Sequence, residues 1–408
     1  MPKLLSDRLS SFHHRDEGQW YTPHIPTGIE DFDKAFNGGL TPGLIILGAL
    51  SSLGKTTLAM QIGSHISRIG KDCLIVSLEM TDLQLISKSI SRQSFILGGE
   101  QYGKSALDLR TEEIVNHMTQ IEWKIIQSAI KKVEEESTHM YYIGKEDGVW
   151  TPHAIWDYIK KEWIEKGKPS PVVIIDYLQI IPSEDISITD STLSISKNCK
   201  ILQDMAKFLH MPVIVISSIN RGSYYAPIDM SSFKGSGDIE YCADTLLGLQ
   251  YQNLGGKGFN LNTAKQAVPR KVELIIIKDR ESETGRSIHL NYYSKFNYFE
   301  NGSHNTIQQS AEQKHIVGQA KDTTPALFIV PDQHQNESST PDHANSKSDA
   351  IKSKNTKKMK KQCEKEECMK QIEDIYKGQP QMANTLTNIL YRENIPLSSV
   401  GGNSIEQK

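Results

Sequence analysis

Residues 44–63 read Leu-Ile-Ile-Leu-Gly-Ala-Leu-Ser-Ser-Leu-Gly-Lys-Thr-Thr-Leu-Ala-Met-Gln-Ile-Gly, an apolar run, a turn of small residues and an amphipathic stretch. From Ala49 to Thr56 the turn has the layout of a phosphate-binding loop, with alanine where the usual G-x-x-x-x-G-K-[ST] pattern opens on glycine. Backbone N–H groups over Ser51, Ser52, Leu53 and Gly54, with the positive end of the following helix, would cradle nucleotide phosphates. Lys55 would then reach the β- and γ-phosphates, Thr57 would belong to the same nucleotide-binding turn, and the Thr56 hydroxyl would hold Mg²⁺. A Gly-Lys-Thr triplet alone is weak evidence. Its context is stronger: four apolar residues precede the turn, and Leu58, Ala59, Ile62 and Ile66 follow at helical spacing.

Further segments carry groups that such a site needs. Cys73-Leu-Ile-Val-Ser-Leu-Glu-Met80 is a strand ending in an acid, and Glu79 there could polarise an attacking water; alone it reads as a solvated strand end. Val172-Val-Ile-Ile-Asp-Tyr-Leu-Gln179 places Asp176 after four apolar β-formers, the Walker B pattern of a Mg²⁺ carboxylate. Val213-Ile-Val-Ile-Ser-Ser-Ile-Asn-Arg221 ends a strand in polar residues, so Ser218, Asn220 or Arg221 could sense a γ-phosphate or simply terminate the strand. Ser232-Phe-Lys-Gly-Ser-Gly-Asp-Ile-Glu240 is a glycine-rich loop; Lys234, Gly235 and Gly237 could hold a DNA backbone or form a plain connection. Finally, Lys278 and Arg280 stand two apart at a strand end and so point the same way. In a ring they could enter a neighbour's nucleotide site, where a trans-acting arginine contributes on the order of 10³–10⁵ in rate.

These groups need an α/β framework to hold them. Apolar runs at 44–47, 74–77, 172–175, 213–217, 245–250, 272–278 and 287–292 are expected strands. Helices are expected after the phosphate loop and over 82–90, 111–135, 152–166 and 193–210. That alternation indicates a P-loop core with a twisted, mostly parallel sheet flanked by helices. The expected organisation is an N-terminal extension (1–21), a motor domain (22–300), a linker (301–358) rich in Gln, Ser, Asn, Lys and Pro, and a helical tail (359–408). The linker composition cannot bury enough apolar surface to order itself. Within the tail, 359–376 and 382–393 are expected helices; six lysines over 352–361 could touch nucleic acid, although a solvated run explains them as well.

A net charge of −3 excludes a globally basic nucleic-acid binder, although pore charge can be local. Apolar runs fall far below the roughly 20 residues of a membrane span. Five scattered cysteines give no disulfide or zinc framework, which points to a reducing cytoplasm.

Taken in order, the segments resemble the C-terminal motor of DnaB-type replicative helicases, a RecA-like ATPase. The resemblance runs from about Thr22 to Phe299 and includes Ile25-Pro-Thr-Gly-Ile-Glu-Asp-Phe-Asp33, Ser77-Leu-Glu-Met80, Ile175-Asp-Tyr-Leu-Gln179, Asn220-Arg221, Ser236-Gly-Asp-Ile-Glu240 and Lys278-Asp-Arg280. It implies ATP and Mg²⁺ at Lys55, Thr56 and Asp176, Glu79 as catalytic base, and Lys278 and Arg280 reaching the adjacent subunit's γ-phosphate. It also implies a hexameric ring on single-stranded or forked DNA, with a separately encoded primase or loader as a possible partner. Three departures stand out. Gly235 replaces an acidic residue often seen in the DNA loop, and Ser218 replaces a glutamine sensor. The family's helical collar would not fit into the twenty or so residues before the motor, where 4–14 could form a short linking helix. A RecA-like recombination or regulatory ATPase, and a non-catalytic adaptor, are the competing readings. The set Lys55, Glu79, Asp176 and Arg280 argues against the adaptor.

Overall fold

The computed structural model describes residues 24–185, 190–233 and 235–302. Lys234, the 1–21 extension and the expected tail helices lie outside the described residues, as does all but the first two residues of the expected linker.

Nine strands make one sheet in the order β3-β2-β4-β5-β1-β6-β7-β8-β9. Six run parallel: β1 (Gly43–Ala49), β2 (Cys73–Ser77), β3 (Met140–Gly144), β4 (Val172–Asp176), β5 (Pro212–Ser218) and β6 (Thr245–Tyr251). The antiparallel strands β7 (Arg270–Asp279), β8 (Ser287–Tyr293) and β9 (Tyr298–Asn301) extend one side. Strands covered on both faces read as unbroken apolar runs, and β1, β2, β4 and β6 are buried at every position. By contrast β7 alternates, burying Val272, Leu274 and Ile276 only.

The helices are α1 (Glu30–Ala35), α2 (Lys55–Arg68), α3 (Asp82–Tyr102), α4 (Glu112–Asn116), α5 (Gln120–Glu136), α6 (Pro152–Ile159), α7 (Ser191–Phe208), α8 (Ser236–Cys242) and α9 (Leu261–Gln266). The chain steps from β1 to β2 to β3 in one direction across the sheet and from β4 to β5 to β6 in the other. Right-handed crossovers therefore place the two sets of helices on opposite faces. In keeping with this, α2 packs on α3, and α7 packs on both α6 and α8.

Three helices depart from expectation, the 152–166 stretch leaving the α form after Ile159 for a π turn over Lys160–Ile164. The expected 82–90 helix extends to Tyr102, because the serines that weaken its helical reading turn their hydroxyls inward. Ser87 and Ser89 donate to the Leu83 and Leu85 carbonyls at 2.7 and 3.1 Å. The expected 111–135 helix is broken into α4 and α5 where Asn116, His117 and Thr119, all weak helix formers, fall together. Residues Leu107–Ile121 group apart from the sheet body as a small unit, with Thr111 Oγ1 donating to the Leu107 carbonyl at 2.8 Å. Among the described residues no helix is long and apolar enough to cross a membrane.

Candidate nucleotide site

In a parallel α/β sheet, ligands lie outside the carboxyl ends of the strands. Ala49, Ser77, Asp176 and Ser218 occupy those ends on the four adjacent strands β2-β4-β5-β1. The register pairs Ser77 with Asp176 and Ala49 with Ser218. Groups far apart in sequence thus share one rim.

The turn after β1 is held by its neighbours as well as by its own sequence. Ser51 and Ser52 are exposed and Leu53 is fully buried. Ser52 sits at φ +61°, a costly setting for a residue with a Cβ, and its carbonyl accepts from Arg270 Nη1 at 3.2 Å. Gly54 at φ +89° precedes the first residue of α2. A Cβ there would lie 2.7 Å from the Tyr292 ring and 2.9 Å from Phe299. Those two rings stack 4.2 Å apart at 9°. Phe299 is tied in turn to α2: Gln61 Nε2 donates to its carbonyl at 2.8 Å, and its N–H donates to Gln61 Oε1 at 2.9 Å. The β8–β9 hairpin therefore backs the phosphate loop.

Thr56 Oγ1 donates to Asp176 Oδ2 at 2.7 Å. Asp176 is 3% exposed, and burial pushes its carboxyl above the usual range. The Thr56 bond and the Lys55 charge pull it down, while Glu79 adds to the rise. Lys55 Nζ donates to the Ala49 carbonyl at 3.2 Å. Burial lowers its pKa against the opposing pull of Asp176 and Glu79. A hydroxyl and a carboxylate, both hard oxygen donors, suit a small divalent cation such as Mg²⁺. The left-handed Gly54 and the helix beginning at Lys55 suit phosphate oxygens. The residues present fit both groups. Thr57 is buried close to Tyr292.

Glu79 is exposed in the turn after β2, one residue from Leu78, whose N–H donates to the Asp176 carbonyl at 2.9 Å. Ser218 is engaged through its backbone: its N–H donates to Gln179 Oε1 at 3.0 Å, while Gln179 Nε2 donates to Ser217 Oγ at 2.9 Å. Gln179 thus ties the β4 and β5 ends together, a role that the sequence reading did not give it. Asn220 turns away from the rim. Its N–H donates to the Ser232 carbonyl at 2.8 Å, and its Nδ2 to the Ser231 and Phe233 carbonyls at 3.4 Å. Arg221 opens a short 3₁₀ turn.

The residues proposed for DNA contact divide. Gly235 at φ +88° leads into α8, Gly237 has open space around its Cα, and Lys234 is outside the described residues. Lys278 and Arg280 are not on the phosphate rim of their own chain. Lys278 Nζ donates to the Glu240 carbonyl and, at 2.8 Å, to that of Ala243. Arg280 donates to the Tyr241 carbonyl at 3.1 Å and pairs with Asp244 at 2.9 Å. Burial lowers the Lys278 pKa, and Arg280 beside it acts in the same direction. The register explains the separation: Ala49 is level with Leu249, whereas Asp279 is level with Thr245. Four residues along the sheet at about 3.3 Å each put about 13 Å between the two rims. A phosphate on Lys55 is out of reach of the same chain's Arg280.

The family model described as the DnaB-like helicase C terminal domain matches residues 24–301. The replicative DNA helicase DnaB of Haemophilus influenzae is 28% identical over 282 residues, covering 68% of this chain and 55% of that protein. DnaB of Geobacillus stearothermophilus is 26% identical over 305 residues, covering 72% and 60% respectively. The chain thus spans little more than half the length of these curated relatives. Two solved structures share the fold at 21% identity. One is an ATPase domain (TM-score 0.60, covering 74% of this chain and 99% of that one), and the other is a DnaB-like replicative helicase studied with its primase (TM-score 0.59, covering 74% and 67%).

Proposed function

The chain belongs to the DnaB-like helicase C-terminal domain family, and on that premise we propose that it is an ATP-driven DNA helicase motor working as a ring of like subunits. The observation that carries this reading is the division of the machinery between two rims. Lys55, Thr56, Asp176 and Glu79 gather at one, and Lys278 and Arg280 at the other.

Bound MgATP would bring a divalent charge to the phosphate oxygens and a γ-phosphoryl group open to in-line attack by water. Around it, the Thr56 hydroxyl and the Asp176 carboxylate would hold the cation. The Lys55 ammonium, already desolvated, exchanges the Ala49 carbonyl for phosphate oxygen, a stronger charge-assisted partner. The exposed Glu79 carboxylate accepts the proton of the attacking water. Arg280 and Lys278, supplied by the adjoining subunit, complete the charge around the transferring group.

Lys234, Gly235 and Gly237 are the proposed DNA contact, with single-stranded or forked DNA as substrate. A primase or loader is the proposed protein partner.

Strand displacement on a forked duplex tests the reading, with ATP turnover measured in parallel. Wild-type protein should show both; Lys55→Ala and Glu79→Gln should show neither. Arg280→Ala should lose about 10³-fold or more in turnover while binding an ATP analogue nearly as wild type does. Turnover without displacement in the wild type would overturn the helicase assignment. Full turnover by Arg280→Ala, or by a monomer, would overturn the shared site.

A further inference from the structure

Phe233 is fully buried, although it borders the glycine-rich loop proposed to contact DNA. Its ring lies against Gly48 of β1, where a Cβ would fall 2.3 Å from Phe233 Cε1 and 2.7 Å from Cζ. The fit depends on the absence of a side chain at Gly48. One residue later, Ala49 gives the carbonyl that holds Lys55. A bridge pairs Ile219 with Phe233, and Asn220 secures the Ser231, Ser232 and Phe233 carbonyls, so the ring is fixed against the strand that feeds the phosphate loop.

On the other side of the loop, α8 ends in carbonyls of Glu240, Tyr241 and Ala243 taken up by Lys278 and Arg280. The stretch 233–243 is therefore attached at one end beside its own chain's nucleotide rim. At the other end it is attached to the pair proposed to reach a neighbour's nucleotide.

We propose that Phe233, seated on the bare backbone of Gly48, is the positioning residue through which nucleotide at a chain's own phosphate loop sets its DNA-contacting loop. The inference rests on the helicase reading above. Phosphate binding rearranges the turn that begins at Ala49, and the ring passes that displacement to the adjoining residues 234–237 without touching nucleotide or DNA. A coupling of this kind is reciprocal: nucleotide changes DNA affinity by the same factor that DNA changes nucleotide affinity.

The experiment measures affinity for a fluorescent single-stranded oligonucleotide, with and without a non-hydrolysable ATP analogue, on the full chain. The ratio of the two affinities is the readout. Phe233→Leu should reduce the wild-type ratio by about fivefold or more. The stimulation of ATP turnover by DNA should fall with it, while turnover without DNA stays within about twofold of wild type. A second variant, Gly48→Ala with Phe233→Leu, puts a methyl where ring atoms were lost; it should restore the melting temperature without restoring the ratio.

An unchanged ratio in either folded variant would overturn the proposal. So would DNA-free turnover falling in step with the ratio, because the ring would then be supporting the phosphate loop alone. A wild type whose DNA affinity ignores nucleotide would fail earlier, and would take the helicase reading with it.

Discussion

Replacing Gln61 with methionine, which is similar in length but has no amide, should loosen the phosphate loop from a distance. Gln61 contacts Phe299 through both of its polar atoms, donating at 2.8 Å and accepting at 2.9 Å. Strand β9 pairs with β8 along one side, so the Gln61 amide fills the place of a further strand on the other. Methionine would leave the Phe299 N–H and carbonyl without these partners. Each polar group stranded in a partly buried position costs about 1–2 kcal/mol, so the pair amounts to about 2–4 kcal/mol. For a domain of this size that is a fall of roughly 5–15 °C in melting temperature. The lesion should also reach the ligand, because Phe299 and Tyr292 form the wall behind Gly54. If about 1.4 kcal/mol of the loss is expressed there, affinity for an ATP analogue drops about tenfold. Thermal unfolding of Gln61→Met and titration with a fluorescent analogue measure the two effects. A loss of stability below about 0.5 kcal/mol, the size expected of an unremarkable surface change, would refute the reasoning.

Gly54→Ala combines a left-handed φ of +89° with a methyl 2.7 Å from Tyr292. Strain and overpacking together cost about 2–5 kcal/mol, and analogue binding should weaken by about 100-fold or more; equilibrium titration checks it. Asp176→Asn should separate stability from activity. Burial raises the Asp176 carboxyl above its unfolded value, so the stability linked to its proton is present below that value and is lost as pH rises through the folded one. At neutral pH the variant should therefore melt higher than wild type without ligand. The difference should shrink in acid, and turnover should fall by on the order of 10²-fold or more. Melting curves across pH, with a phosphate-release assay, read both.

The strands that cross the middle of the sheet were legible because they are buried on both faces and so read as uninterrupted apolar runs; 172–175 and 213–217 are examples. Strand β3 was not: Met140-Tyr141-Tyr142-Ile143-Gly144 is an outer strand that pairs with β2 alone and is only half-buried over its first three residues. Strand β9 escaped for a related reason, its Tyr-Phe-Glu-Asn lying where the composition turns polar. The candidate residues were picked out by local spacing, since a loop of the phosphate-binding pattern and a strand-end carboxylate are each built from neighbours in sequence, and the fold brings Thr56 and Asp176 together at 2.7 Å. Gln179, Gln61, Arg270 and Phe233 were not, because each matters through a partner far along the chain. An amide on a helix gives no sign that it faces a strand 238 positions away. Nor does a glycine in β1 show that an aromatic ring rests on it.

That long span has a consequence for how the protein is made. Chains emerge from the ribosome amino end first, so the Ala49–Thr56 turn and the helix behind it are exposed long before Phe299 exists to meet Gln61. Through most of translation the nascent chain carries that turn without the rings that stand behind Gly54. The backing is completed only when the last described strand of the sheet has left the exit tunnel.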